Sequence, residues 1–133
     1  MSRWTVDLPF PPRELSPNAR SHWAKKSKAA KAYREQCRVL LMAEATNQGW
    51  DVPALIAQAD GQKGGIHLWL DFYPPDRRPR DDDNCAAAFK SGRDGLADAL
   101  GCDDYLFRTH PFLHAEPVKG GLVRVTITGG PKE

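Results

Sequence analysis

Apolar and polar residues alternate from residue 3 to residue 8, a pattern that predicts a short β-strand. Trp4, Val6 and Leu8 lie on one side of this strand, and prolines at positions 9, 11 and 12 end it. A second alternating segment runs from residue 66 to residue 73 and also ends at two prolines. Its apolar side is formed by Ile66, Leu68, Leu70 and Phe72. Both segments therefore predict strands that bury one face.

Two other segments repeat their apolar residues at helical spacing. The first contains Ala30, Tyr33, Cys37 and Leu41, which predicts a helix over residues 21–47. The second segment predicts a helix over residues 84–100, with Gly101 as its C-terminal cap. The apolar repeat of that second helix is formed by Cys85, Phe89, Leu96 and Leu100.

The last part of the chain predicts a β-hairpin, because residues 112–118 and 122–128 flank the turn sequence Lys119-Gly120-Gly121. Residues 48–65 are rich in Gly, Ala and Gln and predict a long loop with a helical turn at residues 53–58. The elements follow in the order β-α-β-α-β-β. This order predicts a single α+β (α/β) domain over residues 1–133, in which a mixed sheet of about four strands packs with two main helices.

The composition is that of an ordinary globular protein. Hydrophobic residues make up 41% of the 133 residues and charged residues 27%, which excludes a disordered or collagen-like chain. No apolar run approaches the roughly 18 residues that would span a membrane, and no secretory signal begins the chain, so we expect a cytoplasmic protein. Cys37, Cys85 and Cys102 never form a CxxC pair, and we expect them to be free thiols.

Basic residues are concentrated early in the chain. Residues 1–40 carry nine Lys and Arg against three Asp and Glu, whereas residues 41–133 carry ten against fourteen. Lys31, Arg34 and Arg38 form a stripe beside the apolar face of the first predicted helix. This stripe is either a solvated helix surface or part of a site for an anion. Trp23, at the start of the same helix, could stack on an unpaired base or belong to the core.

Three adjacent aspartates, Asp81, Asp82 and Asp83, stand between the second predicted strand and the second predicted helix. If this segment is extended, Asp81 and Asp83 project to one side about 6 to 7 Å apart and could converge on a hard cation such as Mg²⁺. Two alternatives are open. Asp83 or Asn84 could cap the helix, or the carboxylates could pair with the arginines at positions 77, 78 and 80.

A second acidic pair, Asp103 and Asp104, follows the second predicted helix, although Asp is also a common turn residue. Two acidic clusters and a basic helix face together describe a phosphodiester hydrolase, since Lys and Arg bind phosphate oxygens and Mg²⁺ activates water. A zinc site formed by Cys102, His110 and His114 is a weaker alternative, because no fourth ligand stands at suitable spacing.

These segments together resemble the RusA-type Holliday junction resolvases, which are crossover junction endodeoxyribonucleases. The most specific part is the Arg-Asp-x-Asp-Asn core at residues 80–84, followed by an Asp-Asp pair about twenty residues later. The similarity covers most of the chain in order. It includes Leu8-Pro9-Phe10-Pro11-Pro12, Ser16-Pro17-Asn18-Ala19-Arg20, His22-Trp23, Tyr33-Arg34-Glu35, residues 75–84 and Asp103-Asp104.

The resemblance implies a homodimeric, Mg²⁺-dependent endonuclease, with Mn²⁺ as an alternative ion, that binds four-way DNA junctions and nicks opposing strands symmetrically in recombination and repair. Asp81 and Asp83 would be metal ligands, and Asp104 would be the third catalytic carboxylate in preference to Asp103. The family's lysine early in the second helix is absent from residues 85–89, so Lys90 is the first candidate for its role.

Two further features depart from the family. Asp82 stands where the family often has an apolar residue, and Gly92 and Gly95 each cost about 1 kcal/mol relative to Ala inside an exposed helix. Either the helix is irregular at these glycines or close packing requires them.

In the expected mechanism, a Mg²⁺-bound water attacks the phosphate and leaves a 5′-phosphate and a 3′-hydroxyl. The protein would contact DNA mainly through phosphates, without reading the base sequence. The residues expected to bind DNA are Arg20, Trp23, Lys25, Lys26, Lys28, Lys31, Arg34, Arg38, Arg77, Arg78 and Arg80. Two other functions are consistent with the sequence: a non-catalytic DNA-binding module, and a structural or adaptor protein.

The position of Asp104 predicts a shared site. A continuous helix over residues 84–100 rises about 1.5 Å per residue and carries the chain roughly 25 Å away from Asp83. The four residues that follow recover at most about 14 Å. Unless the helix breaks at Gly92 or Gly95, Asp104 would reach an ion held by Asp81 and Asp83 only from the second subunit of a twofold dimer.

Overall fold

The computed structural model describes residues 3–20 and 22–129, and its strands form one mixed sheet in the order β1-β4-β2-β3. β4 pairs antiparallel with both β1 and β2, whereas β3 pairs parallel with β2. The predicted α+β domain with a mixed four-stranded sheet is therefore confirmed. The strands are β1 (Arg3–Pro9), β2 (Ile66–Tyr73), β3 (Phe107–Leu113) and β4 (Leu122–Gly129).

Four helices accompany the sheet: α1 (Trp23–Gln48), α2 (Val52–Ala59), α3 (Asp82–Ala88) and α4 (Lys90–Leu100). The start predicted for α1 at Ser21 falls outside the described residues. The segment predicted as a long loop with one helical turn instead contains the whole of α2. None of the helices in the described residues is long and apolar enough to cross a membrane.

The helices cover one face of the sheet. The apolar sides of β1, β2 and β4 pack there against Tyr33, Cys37 and Leu41 of α1, as the sequence patterns predict. The three cysteines are free thiols, as predicted, and burial raises the pKa of Cys37 to about 12. The opposite face of the sheet carries the intervening residues, and among these Trp69 and Phe112 are 41% and 56% exposed. That face is therefore largely open to solvent.

The predicted closing hairpin is wrong, because β2 lies between β3 and β4. β3 begins at Phe107 rather than at residue 112 and pairs with β2 along its whole length. Residues 114–121 then cross the end of β2, where the N–H of Val118 donates to the carbonyl oxygen of Pro74 at 2.9 Å. Alternation in this segment indicates extended backbone but does not identify the neighbouring strand. Pro111 has no N–H and is tolerated because β3 is an edge strand.

The helix predicted over residues 84–100 is not continuous. It begins with Asp82 and is interrupted at Phe89, whose φ of −86° and ψ of 0° separate α3 from α4. The interruption is thus at neither of the two glycines. The Phe89 ring is buried and packs edge-on against the rings of Tyr33 and Phe72, which places it in the core.

Close packing explains both glycines of α4. A Cβ atom on Gly95 would lie 2.3 Å from the backbone oxygen of Arg34, and one on Gly92 would lie 2.7 Å from the Phe89 ring and 2.8 Å from the Tyr33 ring. Any side chain at residue 95 would therefore push α4 away from α1.

We expect Gly95→Ala to lower the free energy of unfolding by about 2 to 3 kcal/mol, because overpacking against rigid backbone outweighs the gain in helix propensity. Urea denaturation would measure this. Gly120→Ala is the control, since its Cβ would meet nothing within 4 Å and only the positive φ of +78° opposes it, at about 1 kcal/mol. A Gly95→Ala protein as stable as the parent would contradict the close approach of the two helices.

Candidate active site

Asp81, Asp82 and Asp83, here called the acidic triplet, form the N-terminal end of α3. Asp81 is the N-cap, and its carboxylate accepts the N–H of Asn84 at 2.7 Å. Asp82 and Asp83 occupy the first turn of the helix, so the expected extended segment and the expected cap at Asp83 or Asn84 are both wrong. Asp is a strong N-cap, and carboxylates in a first turn interact favourably with the helix dipole.

Asp82 also accepts a hydrogen bond from a backbone N–H at the open edge of the sheet. The N–H of His114 donates to the Phe72 carbonyl of β2, and because successive N–H groups of a strand alternate in direction, the N–H of Leu113 faces away from β2. Asp82 accepts that N–H at 3.1 Å. Pro111 lies on the same edge and has no N–H to offer. The middle carboxylate of the triplet therefore has a structural role.

The arginines before the triplet do not neutralise it. Arg78 and Arg80 pair with Asp76 at 3.3 and 3.0 Å, and Arg77 approaches Glu116 at 3.7 Å. The backbone N–H of Arg78 and the guanidinium of Arg80 lower the pKa of the Asp76 carboxyl. Within residues 3–20 and 22–129, no Lys, Arg or His forms an ion pair with any member of the triplet. The proposed pairing with these arginines is thus wrong.

A cavity of about 400 Å³ lies beside the start of α3, where Asn84 and Cys85 form part of its wall. The two proline-rich segments, residues 8–12 and 74–80, meet at this cavity, and Arg13, Arg78 and Arg80 also line it. Arg13 lines a second cavity of about 360 Å³ as well, together with Arg20 and Lys25. Arg13 thus connects the two basic segments that are far apart in sequence. Arg13 is not among the residues predicted from the sequence, although it stands between two of the segments that carry the resemblance.

The basic stripe of α1 is divided between paired and unpaired side chains. Arg34 donates two hydrogen bonds to Asp98 of α4, at 2.7 and 3.0 Å, and lowers the pKa of that carboxyl. Arg38 pairs with Glu35 of its own helix at 2.6 Å. Lys31 is exposed and forms no ion pair within the described part of the chain, as is also true of Lys25 and Lys28.

Two other predicted site residues lie at helix ends. Trp23 is the first residue of α1 and is 75% exposed, so the alternative that it belongs to the core is wrong. Lys90 is the first residue of α4, and its ammonium lies 3.6 Å from the Asp94 carboxylate. Lys90 is separated from the acidic triplet by the length of α3.

Asp104 lies at the other end of β3 from the triplet. Arg93 donates to its carboxylate at 2.9 Å and to its backbone oxygen at 3.0 Å, just before β3 begins at Phe107. Asp82 meets β3 at Leu113, and the six residue steps between these ends span about 20 Å. Asp104 of the same chain is therefore too distant to share an ion with Asp81 and Asp83. The sequence predicts this separation from a continuous helix over residues 84–100, whereas the structure shows it along β3.

The part of the chain that the structure describes contains no group of three Asp, Glu, His or Cys side chains arranged to hold one metal ion. This finding also excludes the zinc alternative formed by Cys102, His110 and His114. Asp103 is engaged elsewhere, since its carboxylate accepts the N–H of Tyr105 at 3.1 Å. Within the described residues, Asp81, Asp83 and Asp104 of one chain therefore do not form a three-carboxylate site.

No family model matches the sequence. Over 125 residues the chain is 45% identical to a protein of Xylella fastidiosa (strain Temecula1 / ATCC 700964) that is described as an uncharacterized protein. The match covers 94% of this chain and 76% of the relative. At this identity and coverage, the chain belongs to the same family as the Xylella fastidiosa protein.

Proposed function

We propose that the protein is a Mg²⁺-dependent endonuclease that acts as a homodimer on four-way DNA junctions. The observation that carries this proposal is the acidic triplet, whose carboxylates are exposed and have no cationic partner in the described residues, beside a cavity lined by arginines. Three adjacent carboxylates repel one another, and a divalent cation is the simplest group that would offset this repulsion.

The oxygen ligands fit Mg²⁺ or Mn²⁺ in chemistry but are too few in one chain. Both carboxylate oxygens of Asp81 accept hydrogen bonds from Asn84, one from the backbone N–H at 2.7 Å and one from the side-chain amide at 3.3 Å, and each oxygen keeps a lone pair free. Asp83 makes no side-chain hydrogen bond within the described residues. Asp104 of the second subunit would supply the third carboxylate. When bound, such an ion lowers the pKa of a coordinated water and offsets the charge that develops on a phosphate.

Arg13, which forms no ion pair within the described residues, would hold the DNA backbone at this cavity, whereas Arg78 and Arg80 already pair with Asp76 and would contribute less. Arg80 donates to the carbonyl oxygens of Asp76 and Arg78, at 3.2 and 3.1 Å, so its guanidinium is fixed rather than free to move. Arg13 extends the positive surface from this loop toward Lys25 at the start of α1. Contacts of this kind position a duplex without reading its bases, which suits an enzyme that recognises a branch by shape.

A non-catalytic DNA-binding module is the rival proposal, because Asp81 caps a helix and Asp104 pairs with Arg93 without any metal ion. A synthetic four-way junction, with linear duplex of the same sequence as the control, distinguishes the two. We expect nicking of the junction with Mg²⁺ and none with EDTA. Binding without nicking would favour the rival, and no binding would favour an adaptor protein.

Junction affinity should depend strongly on salt, and the exposed lysines of α1 should carry part of that dependence. Replacing Lys25, Lys28 and Lys31 together by Gln should reduce the slope of log K against log[salt] by up to about 2.7, at about 0.9 for each phosphate that is no longer neutralised. Arg3→Gln is the control, because Arg3 is exposed on β1 next to Trp4, whose ring stacks on Trp50 just beyond the opposite end of α1. An unchanged slope would show that this face of α1 is a solvated surface. Replacing Arg34 and Arg38 should change the slope less, because both side chains already form ion pairs.

A further inference from the structure

Two histidines form a flat pair on the open face of the sheet. His67 of β2 and His110 of β3 are joined by a hydrogen bond of 2.7 Å between Nδ1 and Nε2, and their ring planes differ by only 5°. This distance is shorter than the roughly 3.5 Å between atoms of stacked faces, so the parallel rings meet edge to edge. The two rings therefore lie in nearly one plane, in which His110 is the more exposed ring because His67 is only 9% exposed.

The indole of Trp69 covers one side of this surface. Its ring stacks on His110 with the centroids 3.9 Å apart and the planes 16° apart. The indole Nε1–H donates to the hydroxyl oxygen of Thr128 at 3.2 Å, which holds the indole in position across the sheet. The histidine pair is thus supported from one side by a side chain that is itself held in place.

A cavity of about 730 Å³ opens on the histidine pair, within the size range of small-molecule sites. Both imidazoles line it, and Trp69, which covers one side of His110, does not. Lys63 and Arg108 also line the cavity, and Asp60 is the one carboxylate among its lining residues. An aromatic surface is therefore combined with a net positive charge.

Two further features shape the polar part of this cavity. A Cβ atom on Gly64 would lie 3.1 Å from Nε of Arg108, so the absence of a side chain there lets the guanidinium lie across the loop. Gln58 lines the same cavity, and its Oε1 is buried without a hydrogen-bond partner in the residues described. Gln58 is half-buried as a residue, and a ligand donor that reached this oxygen would supply the missing hydrogen bond.

We propose that this cavity binds a nucleotide, whose base stacks on the His67–His110 pair and whose phosphate lies between Lys63 and Arg108. An amino group on the base would donate to Gln58. The nucleotide is either free or an unpaired nucleotide within a DNA strand, since both present the same base and phosphate.

The protonation of the pair is compatible with this role. Burial, with Arg108 nearby, lowers the pKa of His67, and burial together with His67 and Arg108 lowers the pKa of His110. Both rings are therefore neutral at pH 7, where the N–H of one ring donates the hydrogen bond to the unprotonated nitrogen of the other.

The site is separate from the acidic triplet. The loop that carries Lys63 and Gly64 bonds to the turn before β3, through the Gly64 N–H and the Tyr105 carbonyl at 3.1 Å. The triplet meets β3 at its other end. Asp104 lies at the same end of β3 as the cavity but does not line it, so nucleotide binding here uses none of the three carboxylates of the proposed endonuclease.

Calorimetric titration at pH 7.5 in EDTA tests the proposal with dAMP, deoxyadenosine, deoxyribose 5-phosphate and a single-stranded oligonucleotide of eight dA residues. We expect saturable binding of dAMP, weaker binding of deoxyadenosine and none of deoxyribose 5-phosphate. His110→Gln should weaken dAMP binding about tenfold or more, because base stacking on an aromatic side chain is removed. Equal affinities of dAMP for His110→Gln and the parent would overturn the proposal, as would absence of dAMP binding.

Lys63→Ala is the second variant, because an exposed side chain can be removed without disturbing the sheet. It should weaken binding of dAMP and leave that of deoxyadenosine unchanged; equal losses for both, or none for either, would contradict the assigned phosphate position. Tighter binding of the oligonucleotide than of dAMP identifies a DNA strand as the source, whereas equal or weaker binding identifies the free nucleotide. Asp81→Asn should bind dAMP like the parent, so this proposal and that of the endonuclease can fail separately.

Discussion

Asp81→Asn and Asp83→Asn should each reduce Mg²⁺-dependent junction nicking by more than about 100-fold, since changes even in residues that only support metal ligands cost 10- to 100-fold. Asn removes the charge at nearly unchanged volume. Asn and Asp are equally good N-cap residues, so α3 should keep its structure in Asp81→Asn. Junction binding should persist or tighten, because less negative charge faces the phosphates. Nicking rates and gel-shift affinities would be measured on the same junction.

Asp82→Asn is the matched control for these two variants. It removes the same charge from the acidic triplet, and its amide oxygen can still accept the N–H of Leu113. We expect it to retain most of the nicking activity. If Asp82→Asn is as inactive as Asp81→Asn, the effect is one of total charge rather than of ligand identity. Full activity of Asp81→Asn would contradict the assignment of Asp81 as a metal ligand.

Mixing inactive Asp81→Asn chains with inactive Asp104→Asn chains should restore single-strand nicking. Within one chain the length of β3 separates Asp104 from the triplet. In a dimer with shared sites, the heterodimer carries both defects in one site and none in the other. Asp104→Asn should fold normally, because Arg93 also donates to the backbone oxygen of that residue.

A mixture of Asp81→Asn and Asp83→Asn chains is the control for this experiment. Both residues belong to the same half of each site, so every heterodimer keeps one defect per site and should stay inactive. Heterodimers would be verified with two affinity tags. No recovery in verified Asp81→Asn/Asp104→Asn heterodimers would exclude shared sites, and recovery in the control would show that activity arises without a complete site.

The elements predicted well are those whose signal is local. β2 and the buried side of α1 follow from the spacing of apolar residues, and that spacing depends only on the geometry of each element. The neighbour of β3 could not be predicted in this way. Strand pairing is decided by contacts between distant segments, and the alternation after Pro111 is equally compatible with a hairpin.

In the candidate site, too, the sequence shows the local features but not the contacts between distant residues. The acidic triplet is visible in the sequence because its members are adjacent. The ion pair between Arg34 and Asp98 joins residues 64 positions apart, and the hydrogen bond between His67 and His110 joins residues 43 positions apart. The spacing of residues within one helix or strand cannot predict such pairs. They depend on the packing of α1 on α4 and on the pairing of β2 with β3.

The strand order has a consequence for how the chain folds as it is made. Leu8 of β1 and Phe72 of β2 both pair with Val123 of β4, which follows them along the chain. During translation, β1 and β2 therefore leave the ribosome long before their common partner does. Until β4 is synthesised, β1 lacks its partner strand and β2 can pair only with β3. Pairing over such sequence separations is slow and exposed to aggregation. Nascent chains of this topology should depend on chaperones that shield β1 and β2 until β4 is synthesised.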